Sequence, residues 1–329
     1  MSFAKLPDEK ILMEIMQYLP MRDRCRARRV CKEWYRILYD KCLGRHADLL
    51  EFPIDLKTMW KLVRYHFCQC LLTLKIRGFA SADGSSNEKP SVSMALLREL
   101  TIRCPNLQLL NFTECKTSTV SVERLPPSIT CLEMVNSRWQ LRWLHGTQMY
   151  LPKLQYLNLD KTLCVDNYDL QDIAGFRNLK YLSLNNCYCI GSLGVRIIAV
   201  SLLDLEVLNL TCVSIDDLTV HYIALHLKKL KELCLCSCRS LTDRAVTSIA
   251  QGLPVLNKLD ISYCPHITMR GLESLFFSKL SVLIIQHLDK WSEEEIQNLR
   301  SGFPENFILE AFDLLAYFNT AYFNILPHI

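Results

Sequence analysis

No stretch of this 329-residue chain reaches the roughly 18–20 uninterrupted apolar residues that a transmembrane helix needs, so a membrane partner is not expected. Met1–Lys10 holds no apolar run of the kind a secretory leader carries, and Ile325–Ile329 has no cysteine where prenylation requires one. The chain is therefore expected to be soluble and intracellular, in the cytoplasm, the nucleus or both, with its 16 cysteines as reduced thiols. Catalytic signatures are missing too: there is no Gly-x-Ser-x-Gly, no phosphate loop and no His-Glu-x-x-His. No cysteines pair as C-x-x-C, which argues against zinc, and no cofactor is implied. A long basic face is also lacking. Residues 1–49 hold 11 Lys+Arg against 7 Asp+Glu and so supply the whole net charge of +4, while residues 50–329 hold 27 of each. Nucleic acid is accordingly not an expected partner.

What is present is a repeat. A Leu-x-x-Leu-x-Leu pattern, with apolar substitutions, is anchored at Leu71, Leu107, Ile129, Leu154, Leu179, Leu205, Leu230, Leu256 and Leu280. The gaps between anchors are 36, 22, 25, 25, 26, 25, 26 and 24 residues, and all but the first fit the period of leucine-rich repeats. The long first gap contains the polar stretch at 81–87, which reads as a loop insertion. A tenth strand is expected at Phe307–Phe312. Alternation makes each motif a short strand with its leucines pointing inward, and a helix is expected to return the chain to the next strand. Thr242 is expected to cap one such helix, with Val246, Ile249 and Leu253 inward, and Ser292–Glu295 fits a capping box. The fold class is α/β: a right-handed leucine-rich-repeat solenoid, parallel strands inside and helices outside, over residues 46–312. Residues 313–329, with Leu314, Leu315, Phe318, Tyr322 and Ile325, read as a cap on the last repeat.

The cysteines follow the repeat. Cys115, Cys187, Cys238 and Cys264 each stand eight residues after an anchor, a position expected to turn inward, and Cys212 falls one residue early. Alternation along a strand is expected to send the thiols of Cys234-Leu235-Cys236 to opposite faces, a further argument against metal. Asn111 and Asn209 match the glycosylation pattern, a coincidence in an intracellular chain.

Residues 6–49 obey a different rule. Leu6-Pro7-Asp8-Glu9 suits a helix start, Ile11, Leu12, Ile15 and Leu19 recur at helical spacing, and Pro20 closes the segment. A second helix is expected near Asp23–Val30 and a third through Trp34, Ile37 and Leu38. About 40 residues is close to the limit of self-sufficiency, so the module either docks on the repeats or is completed by a partner. Arg22, Arg24, Arg26, Arg28, Arg29, Lys32 and Arg36 suit nuclear localisation, RNA binding or the solvated face of amphipathic helices, and their helical interleaving favours the last.

Leu6-Pro7, Ile11, Ile15, Leu19-Pro20, Asp23, Val30-Cys31 and Trp34, continued by Leu43 and Arg45, resemble the F-box pattern. Ahead of cysteine-type repeats, they make the chain similar to the F-box and leucine-rich-repeat proteins, with residues 1–45 as a three-helix F-box. Gly44 departs from the pattern, standing where the family usually carries Trp. The resemblance implies a non-catalytic subunit of a cullin-based ubiquitin ligase that binds the Skp1 adaptor and, through it, a cullin and a RING subunit. The positions carried over are Leu6, Pro7, Ile11, Ile15, Leu19, Pro20, Val30 and Trp34. Leu6, Pro7, Ile11 and Leu19 are expected to face the adaptor and Pro20 to shape the turn, while Trp34 suits either role. The alternative is a scaffold or inhibitor outside any ligase, with the module as a cap.

A target protein is expected to lie on the concave strand face, at positions two, four and six after each anchor. Those positions give Tyr156, Asn158, Asp160, Tyr181, Ser183, Asn185, Asn209, Thr211, Glu232, Lys258 and Asp260, a polar and mildly acidic strip. Tyr156 and Tyr181 fall in register, as contact residues or as partners stacked on each other.

Overall fold

The computed structural model describes residues 9–38, 41–79, 91–117, 122–139, 142–286 and 291–311. Leu6, Pro7, the stretch at 81–87, Phe312 and the tail at 313–329 lie outside them. Three short helices come first, α1 (Glu9–Gln17), α2 (Met21–Ala27) and α3 (Lys32–Leu38). Then follow β1 (His46–Leu49), α4 (Leu56–Tyr65), β2 (Thr73–Arg77), α5 (Met94–Arg103), β3 (Leu109–Thr113), β4 (Lys116–Thr117), β5 (Cys131–Glu133) and β6 (Arg138–Trp139). The regular repeats continue with β7 (Tyr156–Asn158), α6 (Asn167–Ile173), β8 (Tyr181–Ser183), α7 (Ser192–Ser201), β9 (Val207–Asn209) and α8 (Asp217–His226). The last are β10 (Glu232–Cys234), α9 (Asp243–Gly252), β11 (Lys258–Asp260), α10 (Met269–Glu273), β12 (Val282–Ile284), α11 (Glu293–Ser301) and β13 (Ile308–Glu310).

Eleven strands, all but β4 and β6, form one parallel sheet in chain order. Its register is set by a ladder of leucines. Leu74, Leu110, Leu132, Leu157, Leu182, Leu208, Leu233, Leu259, Leu283 and Leu309 pair one to the next. A one-residue slip would turn each of these side chains to the opposite face, so burial fixes the alignment. The strand expected near the C-terminal end is β13. An additional strand, β1, precedes the first anchor; of its four residues only Ala47 is buried, which leaves no leucine pattern to detect.

The expected return helix is absent, among the described residues, from the units anchored at Leu107 and Ile129. The first of these is the shortest, and Pro126-Pro127 restricts the backbone just before the next anchor. A two-stranded ladder of β4 and β6 forms beyond the sheet strands, and in the first unit a single 3-10 turn at Val122–Arg124 packs beside α5 in place of a full helix. Trp139 packs edge-on against Phe112 at 5.6 Å and stacks on Trp143 at 4.8 Å, which adds aromatic packing to the core of these units.

Each turn out of a strand is built alike. Seven residues after the anchor stand Glu114, Asn136, Lys161, Asn186, Cys212, Ser237 and Tyr263, all left-handed with φ between 49° and 60°. Each donates its N–H to a carbonyl of the next unit, for example Lys161 to Asn185 at 2.7 Å. One residue later, the chain turns inward. Ser137 Oγ donates to the Phe112 carbonyl at 2.9 Å, Thr162 Oγ1 to Met134 at 2.7 Å and Cys187 Sγ to Leu159 at 3.1 Å. Cys238 and Cys264 donate to Leu210 and Leu235, both at 3.3 Å. Cys187, Cys238 and Cys264 are thus part of a hydroxyl-and-thiol ladder between neighbouring repeats, while the Cys115 thiol donates within its own unit, to the Thr113 carbonyl at 3.4 Å. Cys212 misses it because Val213 occupies the inward position in its unit.

Thr242 caps α9 and Ser292 with Glu295 forms the capping box of α11, both as the sequence indicates. Cys234 and Cys236 correct one expectation. Two residues apart, they project to the same side, and both feel the charge of Asp260. Burial keeps both thiols protonated, Cys236 pushed up to about 12.

Candidate functional site

The N-terminal helices close a small core of their own, separate from that of the repeats. Leu12 and Met16 of α1 meet Ala27, Ile37, Leu38 and Leu43, with Met13, Leu19 and Trp34 leaning on them. Packing in this way decides which apolar residues of α1 face out. Ile11 and Ile15 are 52% and 51% exposed, Tyr18 is 79% exposed, and their spacing of four and three residues makes one outward stripe. Val30, 65% exposed, adds to the uncovered apolar area after α2. Of the positions read from the sequence, Ile11, Ile15 and Val30 are therefore open to a partner. Leu19, expected to face the adaptor, instead packs half-buried on the module's own core, and Trp34 does the same. Pro20 stands at the N-cap of α2, its carbonyl accepting the N–H groups of Asp23 and Arg24, both at 3.0 Å.

The arginine run is not a uniformly solvated face. Arg24 donates to the carbonyls of Leu43 and, at 3.1 Å, His46, tying α2 to the first strand. Arg28 donates twice to the Leu38 carbonyl and reaches His66 at the end of α4. Met21 adds apolar contact to the repeat core. Nothing in the alternation of the sequence marks these two arginines apart from Arg22, Arg26 or Arg29. A cavity of about 30 Å3 lies at this seam, lined by Arg24, Arg28, Gly44, His46 and His66 among others. A Cβ on Gly44 would meet nothing within 4 Å, so the departure from the usual Trp leaves open space.

The second surface is the concave wall. Tyr156 and Tyr181 stack with centroids 3.8 Å apart and planes 9° from parallel. Burial raises both phenols, Tyr181 to about 12. Position four of a repeat builds the wall, because its side-chain oxygen accepts the N–H two residues on. Asn158 does so for Asp160 at 2.9 Å, Asn209 for Thr211 at 3.0 Å and Asp260 for Ser262 at 2.9 Å. Asp160 in turn accepts from Ser183 Oγ at 2.5 Å and from the Asn185 N–H at 3.1 Å. Ser183, Asn209 and Tyr181 are buried, which corrects their reading as contact residues, and burial of Asn111 and Asn209 also closes both glycosylation matches. Tyr156, Asn158, Asp160, Asn185, Thr211, Glu232, Lys258 and Asp260 remain partly exposed along the wall. Glu133 joins them from β5, at position four after Ile129. It accepts from Asn111 Nδ2 and Cys131 Sγ, and the same spacing rule finds it.

A family model described as F-box-like matches residues 3–49, the three helices and β1. F-box/LRR-repeat protein 12 of Bos taurus and that of Homo sapiens are each 34% identical over 235 residues, 70% of this chain and 71% of theirs. The chain belongs to the F-box/LRR-repeat proteins. Solved structures agree on the fold of this F-box/LRR-repeat protein. A chain of the yeast Rad7 and Elc1 complex superposes with a TM-score of 0.51 at 13% identity, covering 83% of this chain and 76% of that one. An internalin of Listeria monocytogenes gives 0.52 at 15% identity, covering 92% and 89%.

Proposed function

We propose that this F-box/LRR-repeat protein is the substrate-recognition subunit of a Skp1–cullin–F-box ubiquitin ligase in the cytoplasm or nucleus. Residues 1–45 would dock Skp1 and, through it, a cullin and a RING subunit. The repeats of 46–312 would hold the protein to be ubiquitinated and degraded. The chain itself would be an adaptor, with the chemistry performed by the other subunits.

The observation that carries this reading is the outward stripe of Ile11, Ile15 and Tyr18. A module this small cannot leave such a stripe in water at no cost unless a partner covers it. A scaffold whose helices merely cap the repeats would turn the stripe inward. Among the described residues the module instead meets the repeats through α2, with Met21, Arg24 and Arg28, while α1 packs on the module's own core.

Co-expression with Skp1 tests the reading. Ile11→Glu with Ile15→Glu changes only exposed positions and is expected to abolish co-purification while leaving the melting transition of the repeats unchanged. Retention of Skp1 by the double variant would sink the assignment.

A further inference from the structure

The polar wall carries charge predominantly of one sign. Across β5 and β7–β11, positions two, four and six after the anchor hold four carboxylates, Glu133, Asp160, Glu232 and Asp260, against one ammonium, Lys258. Residues 50–329 are balanced overall, so this excess is local to the concave face. Toward the N-terminal end the sign changes at Lys75 and Arg77, where Arg77 is held by Glu114 at 2.8 Å.

One of the four carboxylates is not fully served by its own chain. Glu232 Oε2 is shut off from solvent and takes no hydrogen bond among the described residues. Asp160 and Asp260 are fixed from beneath by Ser183, the Asn185 N–H and the Ser262 N–H, which sets their position before any partner arrives. Burial pushes the pKa of Asp160, Glu232 and Asp260 upward, the direction expected when lost hydration exceeds what the fold returns. An incoming cation would supply the deficit. Two residues before the Glu133 and Asn158 pair in the register, Tyr156 stands beside Cys131 and stacks on Tyr181, so that the part of its ring left open borders the carboxylates and can meet a cation.

We propose that the concave wall from β5 to β11 recognises an arginine- or lysine-bearing extended segment of the target protein, seated along Glu133, Tyr156, Asp160, Glu232 and Asp260. This rests on the reading of the repeats as the target-binding part and narrows it to a class of partner. An acidic or phosphorylated segment would be repelled by the same residues.

The test uses the full chain, co-expressed with Skp1 and purified by its own tag, and three fluorescent peptides of equal length: arginine-rich, glutamate-rich and neutral. Anisotropy is expected to show saturable binding of the arginine-rich peptide alone, weakening as salt is raised. Glu133→Gln with Glu232→Gln is expected to weaken it about ten-fold. Lys258→Glu is expected to tighten it several-fold, a gain that misfolding cannot produce. Equal binding of the glutamate-rich and arginine-rich peptides, or no gain from Lys258→Glu, would overturn the proposal. Co-elution of Skp1 from the same preparation reports separately on the adaptor reading, so the two fail independently.

Discussion

Arg28 and His66 meet across the seam between the N-terminal helices and the repeats, with Nη1 of the guanidinium 3.0 Å from Nδ1 of the imidazole. A guanidinium has only donors, so Nδ1 must accept and the ring is neutral. Burial first, and the charge of Arg28 second, hold His66 below its ordinary pKa. His46, on the same seam, is lowered by burial and then by Arg45 and Arg24.

A pH dependence follows. Above about pH 6.5 both histidines are neutral in the folded and the unfolded chain alike, and neither shifts the balance. Below that value the unfolded chain takes up protons that the folded seam refuses, so stability falls until the lowered folded pKa values are passed. The melting temperature is expected to drop from about pH 7 to about pH 5.5, with His66→Gln flattening the drop. The raised carboxylates of the concave wall act in the opposite direction, so the comparison with the variant, not the parent curve alone, isolates the seam. Parallel curves would show that His66 takes no part.

Asp217 links two repeats. As the first residue of α8 it stands at the positive end of that helix, and it also accepts the Thr242 N–H at 2.8 Å and the Thr242 hydroxyl at 2.6 Å, at the start of α9. Asp243 serves Thr268 in the same way, at 2.7 Å for both bonds. Asp217→Ala strips two donors of their acceptor and should lower unfolding stability in urea by about 1–3 kcal/mol. Asp217→Asn, which keeps one oxygen, should lose less. Equal stability of the alanine variant and the parent would mean that water replaces the carboxylate fully.

Lys161 sits exposed at φ +59°, in a backbone region that lysine adopts at a cost. Only its N–H is used by the turn, through the bond to Asn185. Lys161→Asn keeps that bond with a residue that tolerates the conformation, and should raise stability by roughly 0.5–1 kcal/mol. Lys161→Val, β-branched at the same φ, should lower it by more than that. A shift of the same sign in both variants would show that the side chain, and not the backbone, decides.

The solenoid was legible because its leucines recur at one spacing and each strand needs the same inward pair. β1 was not, since the buried residue there is alanine and Leu43 before it belongs to the other core. The cysteine column was visible as a letter, but its equivalence to Ser137 and Thr162 was not, because the turn selects a small donor and not one particular amino acid. On and just after α1, helical spacing brings Ile11, Leu12, Ile15 and Leu19 into one apolar set. Which of them faces out depends on where α3 lies, and that is a tertiary fact. The polar residues of position four were legible as a strip, yet Asn158, Asn209 and Asp260 bend their own strand ends as well as facing the concave side.

Tyr156 and Tyr181 combine both roles that the sequence left open. Their rings stack, while Tyr181 is nearly closed off and Tyr156 stays partly exposed. Removing either ring should therefore cost stability, and a double-alanine cycle should show a coupling of about 0.5–1.5 kcal/mol. Binding should divide unevenly between them. Tyr156→Ala removes the face that a partner can reach, whereas Tyr181→Phe keeps the stack and loses only a buried hydroxyl. Capture of the arginine-rich peptide is expected to fall with the first and to hold with the second, with Skp1 retained by both. If Tyr156→Ala binds as well as the parent while the cycle still shows coupling, the stack serves the fold alone.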